Sequence, residues 1–230
     1  MFAINHAATA LLVRRWFPRV PLLLALLSVQ FVEFLWVLFN FLKIERTETE
    51  PVVRYVGDIH LVHMPWSHSL GTTILFAVLG ALAAAAVAGR NKVAAGLAFG
   101  IASHILLDLA THNGDIAVAP GMALPRLGTY LYANWPAAAF ILELAYGVMC
   151  WKIFRGSRSL LAVIVFFNLA NISIFFAAIP GPESFFANRP TFLVTVILAQ
   201  IIVTLIAVGI TARVREAGYH SDDGRQPSSA

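Results

Sequence analysis

The chain has 230 residues and a single cysteine, Cys150. That excludes an internal disulfide and any cysteine-rich zinc site, and leaves Cys150 as an inert packing residue. Charge is also scarce, with 12% charged residues against roughly 25% in an average soluble domain. With 59% hydrophobic residues and a mean hydropathy of +0.78, a water-soluble core is excluded and a polytopic membrane protein is implied. No basic run or basic face accompanies the net charge of +4, so nucleic acid is not an expected partner. No Gly-x-Ser-x-Gly elbow is present, and Ser67, Ser69 and Ser103, which adjoin histidines, do not face them on a helix. No internal repeat is visible. A secretory signal is not expected either. The apolar run Val20–Leu42 behind Arg14 and Arg15 is too long for one and lacks a small-x-small cleavage site.

Six stretches are apolar enough to be expected as spans: 20–42, 66–88, 93–111, 134–151, 159–179 and 191–211. Proline or glycine marks most boundaries, among them Pro21, Pro65, Gly89, Pro136, Gly156, Pro180 and Pro190. Residues 2–13 are apolar but too short to cross fully, and are expected as a short helix buried in the bundle. The expected fold is therefore all-α, a polytopic bundle of about six membrane helices plus that helix. It forms one domain over 1–216, followed by a disordered cytoplasmic tail over 217–230. Most Lys and Arg fall in one set of alternating segments, with Arg14, Arg15, Arg19, Arg90, Lys92, Lys152, Arg155 and Arg158 among them. The richer side reads as cytoplasmic, placing the C-terminus inside an inner membrane and the loops 43–65 and 112–133 outside.

Against this apolar background, ionisable groups gather in two short stretches. His104, Asp108 and His112 recur every four residues and share one helical stripe, with Asp115 just beyond. Ionisable groups at membrane depth are expensive and mark function. Imidazoles with carboxylates suit a divalent metal, zinc first, with manganese or iron as alternatives. The other stretch holds His63 and His68 around a helix start. His6 lies in the buried N-terminal helix, within reach of the site if that helix descends through the bundle. Metal candidates are thus His6, His63, His68, His104, Asp108 and His112. A metal polarises an ester or phosphoryl oxygen and acidifies water, and a free carboxylate then serves as base; Glu33, in the first span, and Asp115 are the candidates. Asp58, His60, Glu143, Asn168 and Asn171 are candidate pocket residues, and Glu45, Glu48 and Glu50 are expected on a solvated surface.

Three motifs resemble those of a bacterial and archaeal family of membrane-bound metal-dependent hydrolases, the LexA-regulated inner-membrane type. They are Asn5-His6, then His63-Met-Pro-Trp-Ser67-His68-Ser69, then Gly100-Ile-Ala-Ser103-His104-Ile-Leu-Leu-Asp108. Met64-Pro65 stands where that family usually has Arg-Gly. The motif style is similar to zinc-dependent phospholipase C. The resemblance covers about residues 1–120 and implies metal ligands at His6, His63, His68, His104 and Asp108, with hydrolysis of a phosphoester. The expected function is a membrane-bound metal-dependent hydrolase acting on a phosphoester or other ester of an amphiphilic or lipid-linked substrate drawn from the bilayer. An ion or metal transporter and a non-catalytic scaffold with a structural metal are the alternatives.

Overall fold

The structure is a computed structural model that describes residues 1–88, 91–122 and 125–222, with side chains outside the description at 88 and 213–222. Helix α1 (Ala3–Trp16) is small and apolar all round, and every residue from Ala3 to Val13 is buried, as suits a core helix. At 1.5 Å per residue it measures roughly 21 Å, short of the roughly 30 Å of hydrocarbon. Around it pack α2 (Leu22–Val29), α5 (Asn91–Leu109), α7 (Pro136–Phe154), α8 (Arg158–Ala170) and α9 (Pro190–Asp222). Their shared core includes Ile4, Leu11, Leu26, Ile164 and Val208. Helix α3 (Phe31–Phe41) continues α2 after a 50° bend. Helix α4 (Leu70–Ala88) pairs with α5 as a hairpin, and α6 (Leu131–Asn134) is a single turn ahead of α7.

Among the described residues, four helices are long and apolar enough to cross a membrane: α4, α5, α7 and α9. The bent pair α2–α3 makes a fifth if taken as one span. The chain is thus a helical membrane protein, with lipid-facing side chains such as Ile74, Leu75, Val78 and Leu82 on α4. Six spans are not found. The expected span at 159–179 is the shortfall, because α8 has 13 residues and ends at Ala170. Near that end, Asn168 and Asn171 turn their side-chain amides back onto the carbonyls of Ile164 and Phe167. Such local bonding competes with helix propagation. The chain then runs as turns and one 3-10 segment, Pro182–Phe186, up to α9.

The all-α expectation also misses a small ribbon in the 43–65 loop. Strands β1 (Arg46–Thr49) and β2 (Ile59–His63) pair antiparallel, with Arg46 opposite His63 and Glu48 opposite His60. Strands this short carry too little alternation to stand out in a sequence. Of the tail expected at 217–230, residues from 223 onward lie outside the described residues, and α9 is assigned through Asp222.

Candidate metal centre

The break between α2 and α3 builds one wall of the site. In an unbroken helix the Val29 carbonyl would accept from the amide four residues on. Here the helix stops at Gln30, whose side-chain amide donates to the Ala3 carbonyl at 2.7 Å. The Val29 carbonyl instead accepts from His104 Nδ1 at 3.0 Å. Gly100, one turn ahead of His104, makes the approach feasible: a Cβ there would lie 2.1 Å from Ser28 Oγ and 2.9 Å from Ser28 Cβ. Because a carbonyl only accepts, His104 Nδ1 carries a proton, and in the neutral ring Nε2 presents a bare lone pair.

A second wall comes from the turn before α4. His68 Nδ1 lies 2.9 Å from Ser67 Oγ, and Ser67 Oγ lies 2.5 Å from a Glu45 carboxylate oxygen. The other Glu45 oxygen accepts from the Trp66 and Ser67 amides, both at 2.8 Å. With Glu45 ionised, the hydroxyl donates to the carboxylate and accepts from His68 Nδ1, which again leaves Nε2 bare. Burial pushes the Glu45 carboxyl above its ordinary value, and the Ser67 hydroxyl with the two amides pulls it back. Carboxylates that orient metal-ligating imidazoles in this way are a recurrent feature of metal sites. Glu45 is 3% exposed, so its expected place on a solvated surface is wrong. Its one sequence trace is weak: Glu45 and Thr47 are buried and alternate with exposed Arg46 and Glu48.

Asp108 stands where these elements converge. Its Oδ2 is 3.1 Å from His104 Nε2 and 3.6 Å from His68 Nε2. Its Oδ1 is 3.2 Å from His6 Nε2, 3.6 Å from His112 Nε2 and 2.6 Å from the Met1 amino nitrogen. The His6 and His104 rings stack at 3.9 Å. Glu33 Oε1 lies 3.9 Å from His104 Nε2, and Asp115 Oδ1 lies 3.5 Å from His112 Nδ1. His6, His68, His104 and Asp108 are all 2% exposed or less. Both nitrogens of His6, Nε2 of His104 and Oδ2 of Asp108 have no hydrogen-bond partner.

The donor set fits a metal. Ligands about 2 Å from a tetrahedral ion stand roughly 3.3 Å apart, which is the spacing of the imidazole nitrogens from the Asp108 oxygens. Two overlapping groups meet the requirement for a shared ion, His6 with His104 and Asp108, and Glu33 with His68 and His104. Buried polar atoms without partners are costly, and a cation among these lone pairs removes that cost.

Several sequence candidates lie elsewhere. His63 ends β2 on an exposed face and joins neither ligand group among the described residues. His68, five residues further on and past the turn that follows β2, is buried instead. His60 pairs with Glu50 at 2.9 Å on the surface, and Asp58 accepts from the Arg54 amide within its own loop. Glu143 is no pocket residue. It accepts from the Phe2 amide, the Asn5 side chain and the Tyr132 hydroxyl in a buried knot. Asn168 bonds Asn5 in the same knot. Glu33, His68, His112, Asp115 and Asn171 line a cavity of about 530 Å³ that is otherwise mostly apolar.

No family model, curated protein or solved structure matches the chain.

Proposed function

We propose that the protein is a membrane-embedded metal-dependent hydrolase that cleaves a phosphoester or other ester of an amphiphilic substrate. The observation that carries this reading is the set of buried, partnerless imidazole nitrogens of His6 and His104 around Asp108, in a cluster whose Glu33, His68 and His112 line a largely apolar cavity. The motifs at His6, Ser67-His68-Ser69 and His104-x-x-x-Asp108 support it by their resemblance to the hydrolase family.

His6, His68, His104, His112 and Asp108 would hold the metal, with zinc favoured by the nitrogen-rich set and manganese or iron as alternatives. Such a metal supplies Lewis-acid polarisation and a water of lowered pKa. Glu33 and Asp115 sit at the cavity edge of the cluster, 15% and 16% exposed at the side chain, and either reaches a water there as general base. Hydrolysis consumes one water. Its oxygen bonds to the phosphorus or acyl carbon, the ester bond breaks, and the proton taken by the carboxylate passes to the leaving alcohol.

A site open to a cavity favours catalysis over a closed structural metal. A permease fits less well, because α1 beyond His6 packs Ala7, Ala8 and Leu11 into a closed apolar core. The side richer in Lys and Arg orients the chain, with the C-terminus cytoplasmic and the site in the outer half of an inner membrane. The test is metal content by mass spectrometry of detergent-purified protein beside a folded His104→Ala variant, followed by turnover of bis(p-nitrophenyl) phosphate. About one equivalent or more of metal, lost in the variant together with turnover, is expected. Metal-free wild type after metal supply overturns the reading.

A further inference from the structure

We propose that the cavity beside the metal cluster is the seat of the substrate's hydrocarbon chain, which arrives sideways from the bilayer between α8 and α9. The head-group chemistry rests on the hydrolase reading, whereas the seating of a chain does not.

The cavity joins ionisable and apolar walls. Glu33, His68, His112, Asp115 and Glu183 are its ionisable lining. Buried apolar side chains also wall it, Trp36 and Leu193 among them, each 3% exposed. Ala170 on α8 and Ala199 and Val203 on α9 line it as well, and all three are exposed on the outer surface of the bundle. On α9 that surface belongs to a membrane-spanning helix, so the medium it faces is lipid. A water-soluble substrate has no use for an apolar passage to lipid. A molecule with a polar head and a long apolar chain matches both kinds of wall at once, and the volume of about 530 Å³ falls within the roughly 300–1,000 Å³ of ligand pockets.

The passage follows from α8 being short. The helix stops at Ala170, and residues 171–189 run as turns and one 3-10 segment instead of continuing it. The side chains left at that edge are small, alanine on both helices. A polar bridge crosses it, with the Gln200 side-chain amide donating to Asn171 Oδ1 at 2.9 Å. Both residues line the cavity.

The experiment places the full chain in lipid nanodiscs of phosphatidylcholine and phosphatidylglycerol, the latter carrying a photoreactive diazirine in its acyl chain. Irradiation and peptide mass spectrometry then locate the label. The expected result is labelling at Trp36 and Leu193, which the bundle shields from bulk lipid. An Ala170→Trp, Ala199→Trp variant should reduce that labelling at least tenfold, while α4 labelling and metal content stay unchanged. Ala199→Phe alone replaces it if the double variant does not fold. Labelling confined to outward-facing positions, or labelling of Trp36 and Leu193 that the plugs leave unchanged, overturns the proposal. Chamber labelling without ester turnover supports the chain's seat and removes the hydrolase reading. Turnover with Trp36 and Leu193 unlabelled removes the seat and keeps the hydrolase.

Discussion

Two buried carboxylates, Glu143 and Asp108, are reached by adjacent residues of α1, and their surroundings differ in kind. Asn5 donates to Glu143, where the Phe2 amide and the Tyr132 hydroxyl donate as well. His6 faces Asp108, where the imidazoles of His68, His104 and His112 also converge. Around Glu143 every neighbour brings a hydrogen to an acceptor. Around Asp108 the neutral rings of His104 and, with Glu45 ionised, His68 point lone pairs at an acceptor, their protons being committed to Val29 and Ser67. The Met1 amino group meets Oδ1, and Oδ2 is left without a partner. The two clusters share burial and a central carboxylate, and the supply of protons around it separates a structural knot from a site shaped for a cation.

That contrast breaks first at Asp108. Asp108→Asn should lower metal affinity on the order of 100-fold or more, since it removes the one carboxylate shared by four imidazoles. Isothermal competition against a chelator measures it, and a variant that keeps its metal would put Asp108 in the same class as Glu143. The converse change, Glu143→Gln, should cost about 1.5–3 kcal/mol of stability by weakening charge-assisted hydrogen bonds, while bound metal stays at the wild-type level. Thermal melting in detergent with parallel metal analysis checks both halves. Loss of metal there would merge the two clusters into one functional unit.

Smaller effects sharpen the boundary. Ser67→Ala and Glu45→Gln each leave the four imidazoles in place but free the His68 ring. Both should weaken metal binding roughly 10- to 100-fold, with cobalt absorption spectra changing in the visible range. An unchanged spectrum would reduce the Glu45–Ser67 arm to loop packing. Smallest of all, His60→Ala and His63→Ala should shift stability within about 0.5 kcal/mol and leave metal content alone, as expected of residues on the exposed ribbon. A metal deficit in His63→Ala would return it to the ligand set that the motif resemblance implies.

Much of the site is written in the order of residues. His104, Asp108 and His112 share a stripe because four-residue spacing on a helix allows nothing else, and α5 with the following turn delivers it; the His112 amide bonds the Asp108 carbonyl at 2.7 Å. Glu33 stands out because a carboxylate in an apolar span has no indifferent explanation. Glu45 hides among Glu48 and Glu50, since local charge density predicts solvent and says nothing about a serine 22 residues away. Glu143 misleads in the other direction: its partners Phe2, Asn5 and Tyr132 are distant in sequence, so a satisfied acid and an unsatisfied one read alike. The length of α8 was equally hidden, because hydropathy over 159–179 does not register two asparagines bonding back to their own helix.

Composition and periodicity alone therefore determined that the chain is a bundle of apolar helices holding a histidine–aspartate stripe, because burial of apolar surface and the 3.6-residue turn act locally. Tertiary structure decided which nitrogens of His68 and His104 already have partners and which carboxylates already have donors. Both depend on partners distant in sequence: the Val29 carbonyl at the broken end of α2 for His104, Glu45 for the Ser67 hydroxyl beside His68, and Phe2, Asn5 and Tyr132 for Glu143. Hydrogen bonds between distant segments are directional and have no periodic trace in the sequence, so only the folded chain brings them together.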